Sequence, residues 1–147
     1  MRFVLDNSVT MRWLFGDGSP ADQTYAKNVL DAIEDGNVLV PGIWCLEVAN
    51  VIARAESKYG LSEARSSEFV HVLQNMHIQI DPATCAQAMG DTLQLARRYK
   101  LSAYDAAYLE LALREGLPLA TLDEVLEQAA AKAGVRRFVS PMPIKSR

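Results

Sequence analysis

Four acidic residues lie at positions where their side chains could form one reactive site: Asp6, Glu47, Asp105 and Asp123. Asp6 directly follows the apolar run Phe3-Val4-Leu5, which is typical of a buried strand. Glu47 lies in the first turns of a helix predicted after the apolar run Val38-Leu39-Val40. Because ligand sites of open parallel sheets form outside the carboxyl ends of the strands, these positions favour a shared acidic site.

Each acid also has a simpler structural interpretation. Asp6, with Asn7 and Ser8, could form a turn or the N-cap of a helix. Glu47 could answer the dipole of its helix N-terminus. Asn50 follows Glu47 by three residues and shares its helix face, so the two form a polar pair in an apolar helix start.

Local capping competes for the other two acids. Ser102 and Asp105 have the spacing of a capping box, although Glu or Gln is the usual partner. Thr121 is predicted to cap the last helix, with Glu124 as its box partner. Asp123 is then left over and free to point into a shared site.

Four carboxylates facing one end of one sheet need a compensating cation. Two like charges about 4 Å apart repel by roughly 4 kcal/mol at an effective dielectric near 20. A set of oxygen ligands suits Mg²⁺ or Mn²⁺ better than zinc. Such a cation lowers the pKa of a water and stabilises charge on a phosphate, which is the chemistry of phosphodiester hydrolysis.

Short strands alternate with helices along the chain. Strands are expected at 2–5, 37–40, 77–80, 117–120 and, weakly, 137–139; helices at 8–14, 21–34, 43–58, 62–75, 83–99, 102–115 and 121–133. This alternation predicts an α/β fold, a three-layer α/β/α sandwich around a short parallel sheet of about five strands. Without linkers or repeats, residues 1–147 are expected to form a single domain.

The composition limits the mode of nucleic-acid binding. The chain has 147 residues, half of them hydrophobic, and a formal net charge of −3. It cannot bind nucleic acid by bulk attraction, so any attraction must be local. Candidate cations are Arg97, Arg98 and Lys100 and, towards the end of the chain, Arg136, Arg137, Lys145 and Arg147. A solvated face, or a helix end that answers its own dipole, is the more ordinary explanation of such clusters.

The remaining reactive side chains carry no site signal. Cys45 and Cys85 are isolated, without metal-ligand spacing, and are expected to be buried thiols in a reducing cytosol. His71 and His77 are isolated as well. Met1 runs almost directly into a strand-like segment, and no apolar run approaches the roughly 20 residues of a membrane span. A soluble, cytoplasmic protein is expected.

Four segments together resemble the successive motifs of PIN domains: FVLDNS at 3–8, LEVAN at 46–50, LSAYDAAYLELA at 101–112 and LPLATLDEVL at 117–126. Their order and spacing also fit, and the resemblance extends over essentially the whole chain. The closest subgroup is the VapC-type toxins, which are stand-alone PIN domains of about this length.

The resemblance implies a role for each matching residue. Asp6 and Asp105 would be the primary ligands of one or two divalent metals, Mg²⁺ or Mn²⁺, with Glu47 binding directly or through water and Asp123 completing the pocket. Ser8 and Thr121 match small hydroxyl positions that support the site, and Asn50 is assigned to the same supporting group. The implied activity is an endoribonuclease that leaves a 5′-phosphate and a 3′-hydroxyl.

The resemblance also implies partners besides RNA. Toxins of this type form homodimers, and a small VapB-like antitoxin occupies an apolar groove and blocks the acidic pocket. Trp44, Val48 and Ile52 could line such a groove, as could Trp13. Packing in the core is the more ordinary role for any one of these side chains.

Three other functions fit parts of the pattern. A haloacid-dehalogenase-like phosphatase would need a second Asp where Asn7 stands, together with a catalytic Lys. A phosphorelay receiver would need paired acids after the first strand and a Lys after a later one. A PIN-like binding module without nuclease activity would ordinarily lack at least one of the four acids.

Overall fold

A parallel sheet of four strands forms the centre of the molecule, in the order β3-β2-β1-β4. The computed structural model describes residues 1–141. The strands are β1 (Phe3–Leu5), β2 (Val38–Val40), β3 (Gln79–Ile80) and β4 (Leu119–Ala120). Val4 pairs with Leu39 on one side and with Leu119 on the other, so β1 is central. The predicted α/β class and parallel sheet are confirmed.

Helices connect every pair of successive strands. They are α1 (Asn7–Phe15), α2 (Pro20–Asp31), α3 (Ile43–Tyr59), α4 (Glu63–Asn75), α5 (Thr84–Gln87), α6 (Leu93–Tyr99), α7 (Ala103–Glu115) and α8 (Glu124–Lys132). Crossovers between parallel strands are right-handed, and the chain reverses direction across the sheet after β3. Helices α1–α4 therefore cover one face and α5–α7 the other. The packing of α1 on α2 and α3, and of α6 on α7, agrees with this arrangement.

Sequence signals set most helix ends. Ser62 and Ser102 precede α4 and α7, and each side chain accepts a hydrogen bond from the backbone three residues later. Gly60 and Gly116 end α3 and α7 in the left-handed conformation, at φ 71° and 66°. Both strands β1 and β2 are fully buried, as expected of a sheet covered on both faces.

The sheet has one strand fewer than predicted. Residues 137–139 make a single parallel bridge, between Arg137 and Leu119, and so form no fifth strand. Phe138 instead stacks on Phe3 with ring centroids 4.0 Å apart, and its carbonyl accepts a hydrogen bond from Tyr25. Backbone hydrogen bonds from Leu119 to Arg136 and from Phe138 to Leu119 also hold this segment, beside the packing of Phe138.

The long helix predicted over 83–99 is interrupted. A π-helical turn, Ala88–Thr92, separates α5 from α6, and Gly90 has non-helical dihedral angles of −108° and −108°. Glycine adopts such a conformation readily because it lacks a Cβ. The prediction of helix is correct on either side of this break, in α5 and α6.

Both cysteines are exposed, so the expectation that Cys45 and Cys85 are buried was wrong. Lys145 and Arg147, two of the candidate cations, lie outside the described residues. Within residues 1–141, the structure has no helix with the length and apolar character needed to cross a bilayer.

Candidate active site

The carboxyl ends of β1, β2 and β4 meet at one edge of the sheet, and three of the acids follow these strands. Asp6 comes directly after β1, Glu47 lies in α3 after β2, and Asp123 lies just after β4. Asp105 arrives differently, in the first turn of α7, which packs against β1 but follows α6. Asp105 therefore follows a helix and not a strand, although its carboxylate reaches the same edge.

Asp6 is the most buried of the four acids, with 4% of its surface exposed. Its side chain does not cap α1. Its Oδ2 accepts hydrogen bonds from the Ser8 hydroxyl at 2.5 Å and the Thr121 hydroxyl at 2.8 Å. Burial raises the pKa of Asp6, the two hydroxyls oppose that rise, and the charge of Asp123 adds to it. Ser8 and Thr121 thus orient Asp6, and their support of a metal site stays a prediction.

The predicted capping of α8 by Thr121 was wrong. The Thr121 hydroxyl is engaged by Asp6 and by the backbone N–H of Asp123, which donates to it at 3.0 Å. Asp123 is the N-cap instead, because its Oδ1 accepts a hydrogen bond from the backbone N–H of Leu126 at 3.0 Å. This bond leaves the second oxygen of Asp123 for the site.

Glu47 is held by a residue that the sequence did not indicate. The buried Tyr108 hydroxyl donates a hydrogen bond to Glu47 Oε1 at 2.6 Å. Burial is the largest cause that raises the pKa of Glu47 to about 7, and the charges of Asp6 and Asp105 add to it, whereas the bond from Tyr108 lowers it. Burial also raises the pKa of Tyr108 well above its usual range, so its hydroxyl remains a donor.

Asp105 combines a capping position with a charged environment. Its backbone N–H donates to the Ser102 hydroxyl at 3.1 Å, which is the serine half of the anticipated capping box. Burial raises the pKa of Asp105 to about 6, and the charges of Asp123 and Asp6 add to the rise. The carboxylate therefore lies in the same field as the other three.

Mutual repulsion links the four acids into one cluster. The charge of Asp123 raises the pKa of Asp6, and the charges of Asp6 and Asp105 raise the pKa of Glu47. The charges of Asp123 and Asp6 raise the pKa of Asp105. No Lys or Arg in the described part of the chain is among the groups that shift these pKa values. A phosphatase or receiver site of the kinds considered above would require a Lys there.

The donor chemistry of the cluster fits a hard divalent cation. Asp6 Oδ1, Glu47 Oε2 and Asp123 Oδ2 accept no hydrogen bond from residues 1–141, while the other oxygen of each carboxylate is fixed by a donor. Carboxylate oxygens are the ligands preferred by Mg²⁺ and Mn²⁺. Over the same residues, no three His, Cys, Asp or Glu side chains are grouped closely enough to form a preassembled metal centre.

Asn50 lies apart from these contacts. It is exposed and lines a neighbouring groove with Asp17, Arg54 and Tyr59. Within the described residues it makes no side-chain hydrogen bond to any of the four acids. Its supporting role stays a prediction.

An apolar groove of about 420 Å³ lies along α3, and Glu47 is not among the residues that line it. Trp44, Val48 and Ile52 form one wall, and each is also nearly buried in the core. Val70, Leu73, Ile78 and Ile80 line the rest, from α4 and the β3 segment. Trp13 lies elsewhere, between α1 and α2, where its indole N–H donates to the carbonyl of Ala26.

Comparisons with known proteins show the family and the fold of the chain. The PIN domain family matches residues 3–132. The fold is similar to that of PAE2754 from Pyrobaculum aerophilum, with a TM-score of 0.63 and 17% identity over 88% of this chain and 84% of that one. It is also similar to FitAcB from Neisseria gonorrhoeae, with a TM-score of 0.52 and 19% identity over 94% of this chain and 97% of that one.

A search of curated proteins gives no match. The family match covers most of the chain and includes all four acids of the cluster. The chain belongs to the PIN-domain family.

Proposed function

We propose that the protein is an endoribonuclease that depends on Mg²⁺ or Mn²⁺ and acts as the toxin of a toxin–antitoxin pair. The observation that carries the proposal is the convergence of Asp6, Glu47, Asp105 and Asp123 at one sheet edge without a compensating cationic side chain among the described residues. Membership of the PIN family, whose members are generally nucleases, supports the same activity.

The side chains around the cluster orient the oxygens that would hold one or two cations. Ser8 and Thr121 fix one oxygen of Asp6, Tyr108 fixes one oxygen of Glu47, and the N-terminus of α8 fixes one oxygen of Asp123. The second oxygen of each faces no protein donor within residues 1–141. When bound, the cation would lower the pKa of a water and offset negative charge on the scissile phosphate.

The first test is cleavage of total cellular RNA by the purified full-length protein, with Mg²⁺, with Mn²⁺ and with EDTA, beside Asp105→Asn. Discrete fragments that require the metal and disappear in the variant are expected, with 5′-phosphate and 3′-hydroxyl ends. Cleavage that survives both EDTA and the substitution would overturn the proposed site. A folded protein that binds Mn²⁺ but cleaves no RNA would favour a PIN-like binding module.

The toxin role rests on family membership and on the size of the chain. Expression of the wild-type protein in the cytoplasm is expected to arrest growth, whereas Asp105→Asn is expected to be tolerated. Coexpression of an adjacent short gene that encodes a DNA-binding protein should restore growth. Toxicity that is equal in the variant would argue against a role for nuclease activity.

The apolar groove beside α3 is proposed to receive the antitoxin. Its walls come from α3, α4 and the segment leading into β3, so it is fixed by the core. An apolar segment of a partner would bury these side chains and lie close to Glu47, which belongs to the same helix. A homodimer is proposed for the toxin, as the family resemblance implies.

A further inference from the structure

A second groove, of about 430 Å³, runs between the end of α6 and one side of α8. We call it the α6–α8 groove; its lining is Arg98, Tyr99, Lys100, Val125, Gln128, Ala129 and Lys132. Three of these seven residues are cationic and none is acidic. In a chain with a net charge of −3, such a surface is a local departure from the overall electrostatic balance.

The cations of the α6–α8 groove are not used in ion pairs within the described residues. There the paired cations are Arg12, Arg114 and Arg137. Arg98 lies 5.6 Å from the centroid of the Tyr99 ring. Interaction with the helix dipole explains one cation at each helix end. It does not explain why two helices place their cations in one groove that lacks carboxylates.

The backbone at Lys100 adds a second observation. Lys100 ends α6 in the left-handed conformation, at φ 55°, where Gly stands at the ends of α1, α3 and α7. A side chain with a Cβ costs roughly 1–2 kcal/mol in this conformation. Lys100 thus keeps a side chain, and with it a cation of the groove, at a position where glycine would relieve this strain.

Both walls of the groove lie within a few residues, along the chain, of an acid of the cluster. Lys100 is two residues before Ser102, the N-cap of α7, whose first turn carries Asp105. Val125 is two residues after Asp123, the N-cap of α8. From Val125 to Lys132 the groove follows α8 for about 10 Å, at 1.5 Å per residue. The groove therefore extends along α8 from the helix end that Asp123 caps, and its lining carries the opposite charge.

We propose that the α6–α8 groove binds the phosphodiester backbone of the RNA strand on one side of the cleavage site, with Lys100 and Lys132 contacting phosphates. This inference rests on the proposed function, because it assigns the acids to the scissile phosphate. Contacts to phosphate fix the register of a nucleic acid without reading its bases. The groove would thus supply the local attraction that the net charge of the protein does not.

The test compares Lys100→Gln/Lys132→Gln with Lys27→Gln/Lys58→Gln. All four lysines are exposed, and Lys58, like Lys132, lies in the last turn of its helix. The two variants therefore match in net charge, but only the first alters the groove. Binding of a fluorescein-labelled oligouridine to each full-length protein is measured by anisotropy in EDTA, which keeps cleavage out of the readout.

The expected result is a weaker affinity that depends on salt. A single-strand phosphate contact contributes a slope of about −0.7 in the logarithm of the binding constant against that of the salt concentration. Loss of two contacts should therefore make the slope shallower by about 1.4. Between about 1 M and about 0.1 M salt, the affinity of the wild type should then rise roughly 25-fold more than that of the groove variant. The Lys27/Lys58 variant should bind as the wild type does.

Three outcomes would overturn the proposal: no binding of oligouridine by the wild type, unchanged binding by the groove variant, or an equal loss in the control. Cleavage of total RNA separates this proposal from the proposed function. If RNA is cleaved but the groove variant binds normally, the groove is wrong and the nuclease remains. If the groove variant loses binding but no metal supports cleavage, the groove is an RNA-binding surface and the nuclease assignment fails.

Discussion

At the scale of single residues, the two oxygens of each fixed carboxylate have different roles in the acidic cluster. One oxygen of Asp6, Glu47 and Asp123 accepts a short hydrogen bond that sets the orientation of the side chain. The other oxygen has no donor within residues 1–141. Orientation without neutralisation suits a cation site, because a full set of donors would compete with the metal for the same lone pairs.

Asp105→Asn should stabilise the protein in EDTA at pH 8. The folded pKa of about 6 lies above the ordinary value of 3.8, so ionised Asp105 disfavours the fold. Its stabilising contribution is present below about pH 4 and is lost as pH rises through about 6. Solvent screening at this half-buried site keeps the effect near 1 kcal/mol, about 2–4 °C in Tm for a chain of this size.

Differential scanning calorimetry at pH 8 and pH 4 measures this change. The exposed Asp35→Asn serves as the control for the loss of one negative charge. The Tm advantage of Asp105→Asn should shrink towards zero at pH 4. An equal gain from Asp35→Asn, or a gain that is the same at both pH values, would show that relief of repulsion in the cluster is not the cause.

Tyr108→Phe should weaken the binding of Mn²⁺ while leaving the buried ring in place. The lost hydroxyl donates to Glu47 Oε1 at 2.6 Å and lowers the pKa of Glu47 from a value that burial raises. Without it, the pKa of Glu47 rises further above about 7, so protons compete with the metal near neutral pH. A rise of one unit would lower the ionised fraction of Glu47 at pH 7, and with it the apparent affinity, roughly fivefold.

Calorimetric titration with Mn²⁺ between pH 6.5 and 8.5 tests this expectation, with the affinity recovering at the alkaline end. Tyr104→Phe is the matched control, since this tyrosine lies in the same helix and is 61% exposed. Affinity equal to that of the wild type at every pH would remove Tyr108 from the site.

The acids themselves could be predicted from the sequence because each follows a recognisable local signal: the end of a strand, or the start of a helix. Tyr108 could not, because its partner lies 61 residues away in the chain. The same limit explains the error at Thr121, whose hydroxyl bonds to Asp6 across 115 positions and so does not cap α8. Long-range polar contacts have no periodicity to reveal them.

At the scale of elements, an ion network of two buried carboxylates and the more exposed Arg114 connects the helices that carry the acids. Arg114, in the last turn of α7, donates to both oxygens of Asp81 and to both oxygens of Glu110. Thr84 lies near Asp81 and accepts a hydrogen bond from the backbone N–H of Gly42, the residue that precedes α3. The network thus connects α7, which bears Asp105 and Tyr108, with α3, which bears Glu47.

Arg114→Ala should destabilise the protein by about 3 kcal/mol at pH 7, because it leaves two carboxylates without a partner in sites where Asp81 and Glu110 are 8% and 5% exposed. The hydrogen bonds from Arg114 hold the pKa of Asp81 below its usual range. The stabilisation from Asp81 is therefore present above about pH 4 and is lost as pH falls through the lowered pKa.

Urea unfolding at pH 7 and pH 3.5 would show this pattern. The loss in the free energy of unfolding caused by Arg114→Ala should be smaller at pH 3.5, because Asp81 and Glu110 are then protonated in the variant. Arg97→Ala, an exposed change in the last turn of α6, is the control. A deficit that is independent of pH would indicate that Arg114 acts through packing alone.

Most elements followed from apolar periodicity and capping residues, and the exceptions have physical causes. The break at Gly90 lies within a pattern that remains helical on both sides, so periodicity could not locate it. The segment at 137–139 has the composition of a strand, but the stacking of Phe138 on Phe3 leaves it only one bridge to β4. Cys45 lies on an apolar helix, yet on the side that forms the wall of a groove.

At the scale of the whole molecule, three surfaces have distinct characters. The acidic cluster lies at the carboxyl edge of the sheet, the cationic α6–α8 groove extends along α8 from the helix end that Asp123 caps, and the apolar groove lies beside α3. Helix α3 contributes both Glu47 and one wall of the apolar groove. A partner in that groove would therefore contact the helix that positions an acid, which links occupancy of the groove to access to the site.

If the proposed antitoxin lies in the apolar groove, Ile80→Arg should abolish its binding without loss of the proposed nuclease activity. Ile80 lines the apolar groove and is 52% exposed, so a cationic side chain fits without disturbing the core but places a charge where an apolar partner would lie. Val72→Arg is the matched control, because Val72 is 50% exposed on α4 and does not line the groove. Copurification of the coexpressed antitoxin with each tagged variant measures binding, and RNA cleavage measures the activity of the acidic site.

If both variants retain the antitoxin, the partner binds elsewhere. If Ile80→Arg loses the antitoxin and growth arrest then resists its coexpression, the groove beside α3 is the surface through which the toxin is held inactive.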